Sequence, residues 1–300
     1  MPPDLDLPFS SLIHRIGGKS TDVWEIHYEA KKRQQHDDDV IVLSVGEESD
    51  EYTPREIQQA GIESIESGRH HYTSNVSVFS GAQNALFATS LCLLEHGTEV
   101  IVPELYYATY PAAVKLSGAT MIPLPTDVAK GFQIDIDALE KAIPPRTRAI
   151  LLNSPNNPTG AVYSRKLFYN LNMCMAYGLP AFIQDAAAYA LEQNEHTAIV
   201  VRDKLMRNRD VVKGVLSHMH GAHLYAEGGG MFAVLDVRPL GQSSSEFAWG
   251  LLNEQKVSLL PCDGFGSSGQ GLLRVSLCLD EGTLRRAAQR ILTYVETVTG

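Results

Sequence analysis

Through its first half the chain alternates short, unbroken aliphatic runs with helical patterns, and this alternation constrains the fold more than any other feature. Candidate strands lie at Val40–Val45, Val76–Phe79, Glu99–Val102, Thr120–Leu124 and Ala149–Leu152. They are continuous β-branched and aliphatic runs rather than strict alternations, which is the pattern of strands covered on both faces. Helical patterns cover Ala82–Leu94, Tyr107–Leu116 and Ile136–Ala142. Thr53-Pro-Arg-Glu56 supplies a further helix start, with Thr53 as N-cap, Pro54 in the first helical position and Glu56 reaching back. Such strand–helix alternation predicts an α/β fold with a mostly parallel sheet and helices on both faces.

The organisation then changes. Arg165–Leu191 and His196–Ser217 read as helices in succession, with no strand between them. The last third returns to strands, at Met231–Val237, Val257–Leu260 and Leu272–Leu277, with helices at Ser244–Asn253 and Glu281–Thr297. A three-layer αβα large domain followed by a smaller α+β C-terminal domain accounts for this order. The expected division is an N-terminal segment 1–45 packing with the small domain, the large domain 46–190, and the small domain 191–300. A chain of 300 residues can bury such cores without staples. Its four cysteines, Cys92, Cys174, Cys262 and Cys278, are too scattered for a zinc cluster or a disulfide framework. The formal charge of −10, with no Lys/Arg cluster, argues against a nucleic-acid surface. No long apolar span and no secretory signal pattern is present, so no membrane partner is expected and the chain reads as cytoplasmic.

Several constellations could carry chemistry. Leu151–Gly160 runs an apolar strand directly into Asn153-Ser-Pro-Asn-Asn-Pro-Thr-Gly160 at its carboxyl end, where open α/β sheets place ligands. The same residues are also good turn formers. Ser80-Gly81 stands between a strand and a helix, so the amides at that helix start form an anion site, or a simple turn. Tyr106, Tyr107 and Tyr110 could stack on a flat ring or fill a core. Arg274, inside the apolar run Leu272–Leu277, needs an anionic partner, either a bound carboxylate or an Asp or Glu of the chain. Gly264-Phe-Gly-Ser-Ser-Gly269 matches a dinucleotide fingerprint, but a strand follows it where that site needs a helix. His218, His220 and His223 lack a carboxylate or cysteine at ligand spacing and read as solvated, so no metal is expected.

In combination and in order, these elements resemble the class I/II aminotransferases, the fold-type-I enzymes dependent on pyridoxal phosphate. The resemblance covers nearly the whole chain. It runs through Leu43-Ser-Val-Gly-Glu47, Tyr72-Thr73, Ser80-Gly81, Glu99–Pro103, Asn153–Gly160, Gly228-Gly-Gly-Met-Phe232 and Leu273-Arg-Val-Ser276. The run Cys174–Asp185 is most similar to the arginine–pyruvate transaminases of that group. The resemblance implies amino transfer between an amino acid and a 2-oxo acid, with the cofactor as electron sink. It implies that Asn157 meets the ring hydroxyl, that Gly81, Ala82 and Gln83 hold the phosphate, and that Tyr107 stacks on the ring. Tyr72 would reach a phosphate across a homodimer interface. Arg274 would grip the substrate α-carboxylate, with Gly46 lining that end.

The chain departs from the family in one respect that bears on the chemistry. Beyond Gly160 the family continues through three sheet strands carrying an Asp for the ring nitrogen and the Schiff-base lysine in a Ser-x-Ser-Lys setting. Here Gly160-Ala-Val-Tyr-Ser-Arg-Lys166 passes within a few residues to Leu171-Asn-Met-Cys174, which in the family lies past those strands. The large domain is therefore expected to be shortened near 164–172, with a smaller gap near 73–75 and an incomplete sheet. The ten lysines are 19, 31, 32, 115, 130, 141, 166, 204, 213 and 256, and none follows Ser-x-Ser. No catalytic lysine is assigned. The alternatives are a non-catalytic binding or dimer-partner protein of this ancestry, or an incomplete splice product.

Overall fold

The computed structural model describes residues 22–47, 81–143, 145–164 and 195–299, with Gln59, Ile62 and Glu66 as isolated positions. Strands β2 (Glu99–Pro103), β3 (Thr120–Leu124) and β4 (Thr147–Ile150) form a parallel sheet in the order β3-β2-β4. Between them run helices α3 (Tyr110–Leu116) and α4 (Ile136–Lys141), and α2 (Ala82–Leu93) precedes β2. Successive residues of β2 face opposite sides. Val100 and Val102 pack with Leu94, Val114 and Ala119, whereas Ile101 packs with Leu124 and Leu139. Helices on both faces explain why this strand is an unbroken apolar run.

The C-terminal part is an antiparallel sheet, β5 (His223–Tyr225), β6 (Phe232–Asp236), β9 (Leu272–Ser276) and β8 (Leu260–Pro261), in the order β5-β6-β9-β8. Its helices are α5 (Glu195–Leu216), α6 (Ser244–Gln255) and α7 (Glu281–Thr299). At the other end of the chain, α1 (Glu25–Gln34) leads into β1 (Ile41–Val42), which pairs in parallel with β7 (Val257–Ser258). The largest core joins α1 and β1 to α5, α6 and α7 and to the antiparallel strands. Among the described residues, no helix is long and apolar enough to cross a membrane.

Three expected elements change shape for local reasons. The strand expected over Val40–Val45 is regular only at Ile41–Val42. Leu43 then bridges two neighbours, its amide donating to Ser258 O at 2.9 Å and its carbonyl accepting from Ser276 N at 3.0 Å. The helix expected from Tyr107 begins at Tyr110, because Pro111 lacks an amide and fits only the first turn. The strand expected over Val257–Leu260 splits, with Val257–Ser258 serving β1 and Leu260–Pro261 serving β9. The expected elements at Val76–Phe79, after Thr53, and over Arg165–Leu191 lie outside the described residues.

Candidate active site

The two residues that sequence reasoning placed at the ligand-facing turn and inside the apolar strand meet in space. Arg274 Nη1 donates to Asn157 Oδ1 at 2.9 Å, across 117 residues of chain. A guanidinium only donates, so the amide oxygen must face it, leaving the Nδ2 donors of Asn157 for a ligand oxygen. Arg274 Nη2 donates to the carbonyl of Ser44 at 2.7 Å. Its Nε is buried without a hydrogen-bond partner. Aromatic rings surround the cation, with centroids 4.2 Å away for Phe232, 5.4 Å for Phe265 and 5.8 Å for Trp24. Arg274 is 2% exposed, and its hydrogen bonds go to neutral groups, so burial pulls its pKa down to about 10. A buried guanidinium with a spare donor and, among the described residues, no carboxylate partner is built to receive one.

The turn at Asn157 is held by its own short side chains. Asn157 N donates to Asn153 Oδ1 at 2.8 Å, and Gly160 N donates to Asn156 O at 2.8 Å. The Gly228–Gly230 run closes over it. Gly229 N donates to Gly160 O at 2.7 Å, and a Cβ on Gly228 would sit 1.7 Å from that carbonyl oxygen. Gly46 has an equally tight role, since a Cβ there would lie 2.4 Å from Phe232 Cζ, on the ring that covers Arg274.

The remaining expected site residues gather at the carboxyl end of β2. Gly81 caps α2 with φ +88°, and Ala82 and Gln83 occupy its first turn, where amides have no intrahelical acceptor. Gln83 Oε1 accepts from Thr109 Oγ1 at 2.8 Å, which sets this turn beside the Tyr107–Tyr110 turn. The Tyr107 ring meets Tyr110 edge-on at 5.9 Å and packs partly buried against the largest core. Tyr72 lies outside the described residues.

The Gly264–Gly269 motif is a real anion nest with an internal occupant. The Glu104 carboxylate accepts from Ser267 N and Ser268 N, both at 3.1 Å, and from Ser268 Oγ at 2.6 Å. Gly266 has φ +123°, and any Cβ there would press on that carboxylate at 2.8 Å. Tyr106 N donates to Phe265 O at 2.9 Å, so the loop is tied to β2 twice. His218 and His220 are exposed in the turn before β5, and His223 opens that strand.

Sequence reasoning missed Trp24, His27, Ser44 and Phe265 as parts of the site. Ser44 sits in the quoted Leu43–Glu47 motif, and Phe265 in the glycine motif, so both carried a signal. Trp24 and His27, on the turn and helix leading into β1, carried none.

The described residues fit the non-covalent half of a pyridoxal phosphate site. Asn157 offers amide donors, Tyr107 offers a ring, the first turn of α2 offers amides, and Arg274 Nε is an orphaned donor for a carboxylate. The covalent half is not evident. Of the described lysines, Lys213 pairs with Glu227 at 2.6 Å and Lys256 with Asp37 at 2.8 Å, Lys204 is half-buried and engaged on α5, and Lys31, Lys32, Lys115, Lys130 and Lys141 are exposed.

The family model for aminotransferase class I and II matches residues 28–187 and 172–291. The chain is 32% identical to the arginine–pyruvate transaminase AruH of Pseudomonas aeruginosa over 390 residues, covering 97% of this chain and 99% of the relative. It is 33% identical to an aspartate aminotransferase of Geobacillus stearothermophilus over 177 residues, which cover 50% of this chain and 45% of that one. Its fold matches an aspartate aminotransferase of Thermus thermophilus with a TM-score of 0.79 at 22% identity, covering 96% of this chain and all of the other.

Proposed function

The chain belongs to the class I and II aminotransferase family, and on that premise we propose that it binds the α-carboxylate of an amino acid or 2-oxo acid on Arg274. Enzymes of this family move an amino group between amino acids and 2-oxo acids with pyridoxal phosphate. When bound, that cofactor supplies the electron sink for chemistry at the α-carbon. The observation that carries the proposal is the buried guanidinium, without an acidic partner among the described residues, paired with Asn157 at 2.9 Å and holding a spare donor on Nε. A carboxylate would take Nε and one Nη in the bidentate fork that arginine favours. Phe232, Phe265 and Trp24 exclude water and strengthen that contact. Asn157 would orient the cofactor ring through Nδ2, Tyr107 would cover its face, and Gly81, Ala82 and Gln83 would hold its phosphate. Tyr72 would complete the phosphate site from the partner subunit of a homodimer, acting in the cytoplasm. The AruH relationship supports arginine or another basic amino acid as donor and pyruvate as acceptor. Residues 1–45, 46–190 and 191–300 would form the N-terminal segment, large domain and small domain.

A second reading, a carboxylate- and cofactor-binding member without transfer activity, is favoured by one specific observation. The alignment to AruH spans 390 positions, 90 more than the 300 residues of this chain, and the family match breaks into two stretches that overlap at 172–187. The break falls beyond Gly160, and the resemblance places the family's lysine between Gly160 and the overlapping stretch. The chemistry needs an amine there to hold the cofactor aldehyde and to carry the α-proton. The test is absorbance of the purified chain with pyridoxal phosphate, followed by borohydride and peptide mass. A visible-edge band with a labelled lysine, and arginine-dependent alanine formation from pyruvate, establishes transfer. Carboxylate binding without either establishes the second reading.

A further inference from the structure

We propose that His27 is a positioning residue of the Arg274 site, acting through Ser44, and that it couples carboxylate binding to proton uptake. The proposal rests on the reading that Arg274 receives a carboxylate. Ser44 is fully buried and serves both groups at once: its carbonyl accepts from Arg274 Nη2 at 2.7 Å, and its hydroxyl meets His27 Nδ1 at 2.9 Å. The hydroxyl of Ser258 completes the chain at 3.1 Å from Ser44 Oγ. Ser258 is fixed in turn, because β7 pairs with β1 in register Val42↔Ser258. The imidazole thus braces the residue whose main-chain carbonyl anchors the guanidinium.

The charges that face His27 among the described residues come from three places. Lys31 lies one turn along α1, Arg274 lies on β9, and Glu47 follows the segment after β1. The rings of Trp24 and Tyr28 flank it edge-on at 6.2 and 5.8 Å. Burial, Lys31 and Arg274 all disfavour the imidazolium, and only Glu47 favours it. A carboxylate arriving on Arg274 removes one of those repulsions. Binding therefore favours protonation of His27, and by reciprocity protonation of His27 favours binding. A protonated ring must donate from Nδ1 to Ser44 Oγ, which keeps the brace in place while the charge changes.

The test uses pyruvate as the probe, without cofactor, by calorimetry and by proton NMR of the His27 ring from pH 5.5 to 8. Wild-type affinity is expected to rise several-fold as pH falls, with the His27 titration moving upward when pyruvate is bound. H27N, whose amide can replace Nδ1 toward Ser44, is expected to bind as wild type does at pH 8 with a flat profile. H27A is expected to bind more weakly at every pH. A wild-type profile as flat as that of H27N overturns the proposal. If pyruvate binds wild type and R274A equally, or neither, the carboxylate reading fails and this one with it.

Discussion

The carboxylate of Glu104, just beyond the C-terminal end of β2, accepts hydrogen bonds from the backbone amides of Ser267 and Ser268, each 3.1 Å away. It joins the end of the parallel sheet to the loop that sets Phe265 over Arg274. Glu104 is 3% exposed, so removing its carboxylate strips the part-buried amides and hydroxyls of Ser267 and Ser268 of their shared acceptor. E104A is expected to lose about 2–3 kcal/mol in urea unfolding, with E104Q losing less because its amide oxygen still accepts.

Arg274 is costly to bury, and its value lies in what it binds. R274L is expected to abolish pyruvate binding, by about a hundredfold or more, which corresponds to losing a charge-assisted pair. Its unfolding free energy should stay within about 1 kcal/mol of wild type, since removing a buried charge whose described partners are neutral offsets the two lost donors. A large loss of stability with binding retained would contradict the assignment.

Gly46 admits no side chain. In G46A the new methyl would displace the Phe232 ring, whose centroid is 4.2 Å from the guanidinium. The expected outcome is about 1–3 kcal/mol of destabilisation from overpacking, together with weaker pyruvate binding by calorimetry.

Cys262 is fully buried beside Arg274, and burial pushes its thiol up to about 12. At pH 8 only about one molecule in 10⁴ carries that thiolate, so Cys262 should resist iodoacetamide in the native state while exposed Cys92 is labelled. Peptide mass after brief alkylation checks this. The same shift has a sign for stability. The unfolded thiol ionises near pH 8.5 and the folded one near 12, so the unfolded state loses protons first. Stability is then full below about pH 8.5 and declines as pH rises toward 12, and C262A should flatten that alkaline decline.

His27 produces the opposite slope. Its folded pKa lies below the ordinary value near 6.5, so the unfolded chain binds the extra proton. Stability without ligand is full above about pH 6.5 and is lost as pH falls through the folded value. Thermal unfolding of H27N should lose this acid dependence.

Much of the sheet was legible because its signals are local. β3 was expected at Thr120–Leu124 and is found there, and β2 exceeds its expected range by Pro103 alone. Continuous aliphatic runs bounded by polar turns leave little freedom in such strands. β5 was missed because His223-Leu-Tyr225 is three residues long and follows a histidine-rich helix end. The split of Val257–Leu260 was not legible either, since only the tertiary fold reveals that one run serves two partners. Within the site, Arg274 and Asn157 announced themselves as a charge in an apolar strand and an amide at a strand end. Their pairing was not legible, since the charge pointed Arg274 toward an anionic group and the fold gives it a neutral amide. His27 and Trp24 sit on a helix and turn whose local pattern says only that one face is apolar. The glycine motif was rightly set aside as a dinucleotide site, but the sequence does not show the Glu104 carboxylate that folds into it.

The guanidinium of Arg274, whose described partners are all neutral, makes the choice of buffer part of the experiment. Acetate, citrate or succinate would act as ligands of the folded chain and of nothing in the unfolded one. Each would raise the apparent melting temperature with the logarithm of its concentration, whereas Tris or another amine buffer would not. Two laboratories working at one pH in different salts would then report different stabilities for the same molecule, and the difference would measure the occupancy of Arg274.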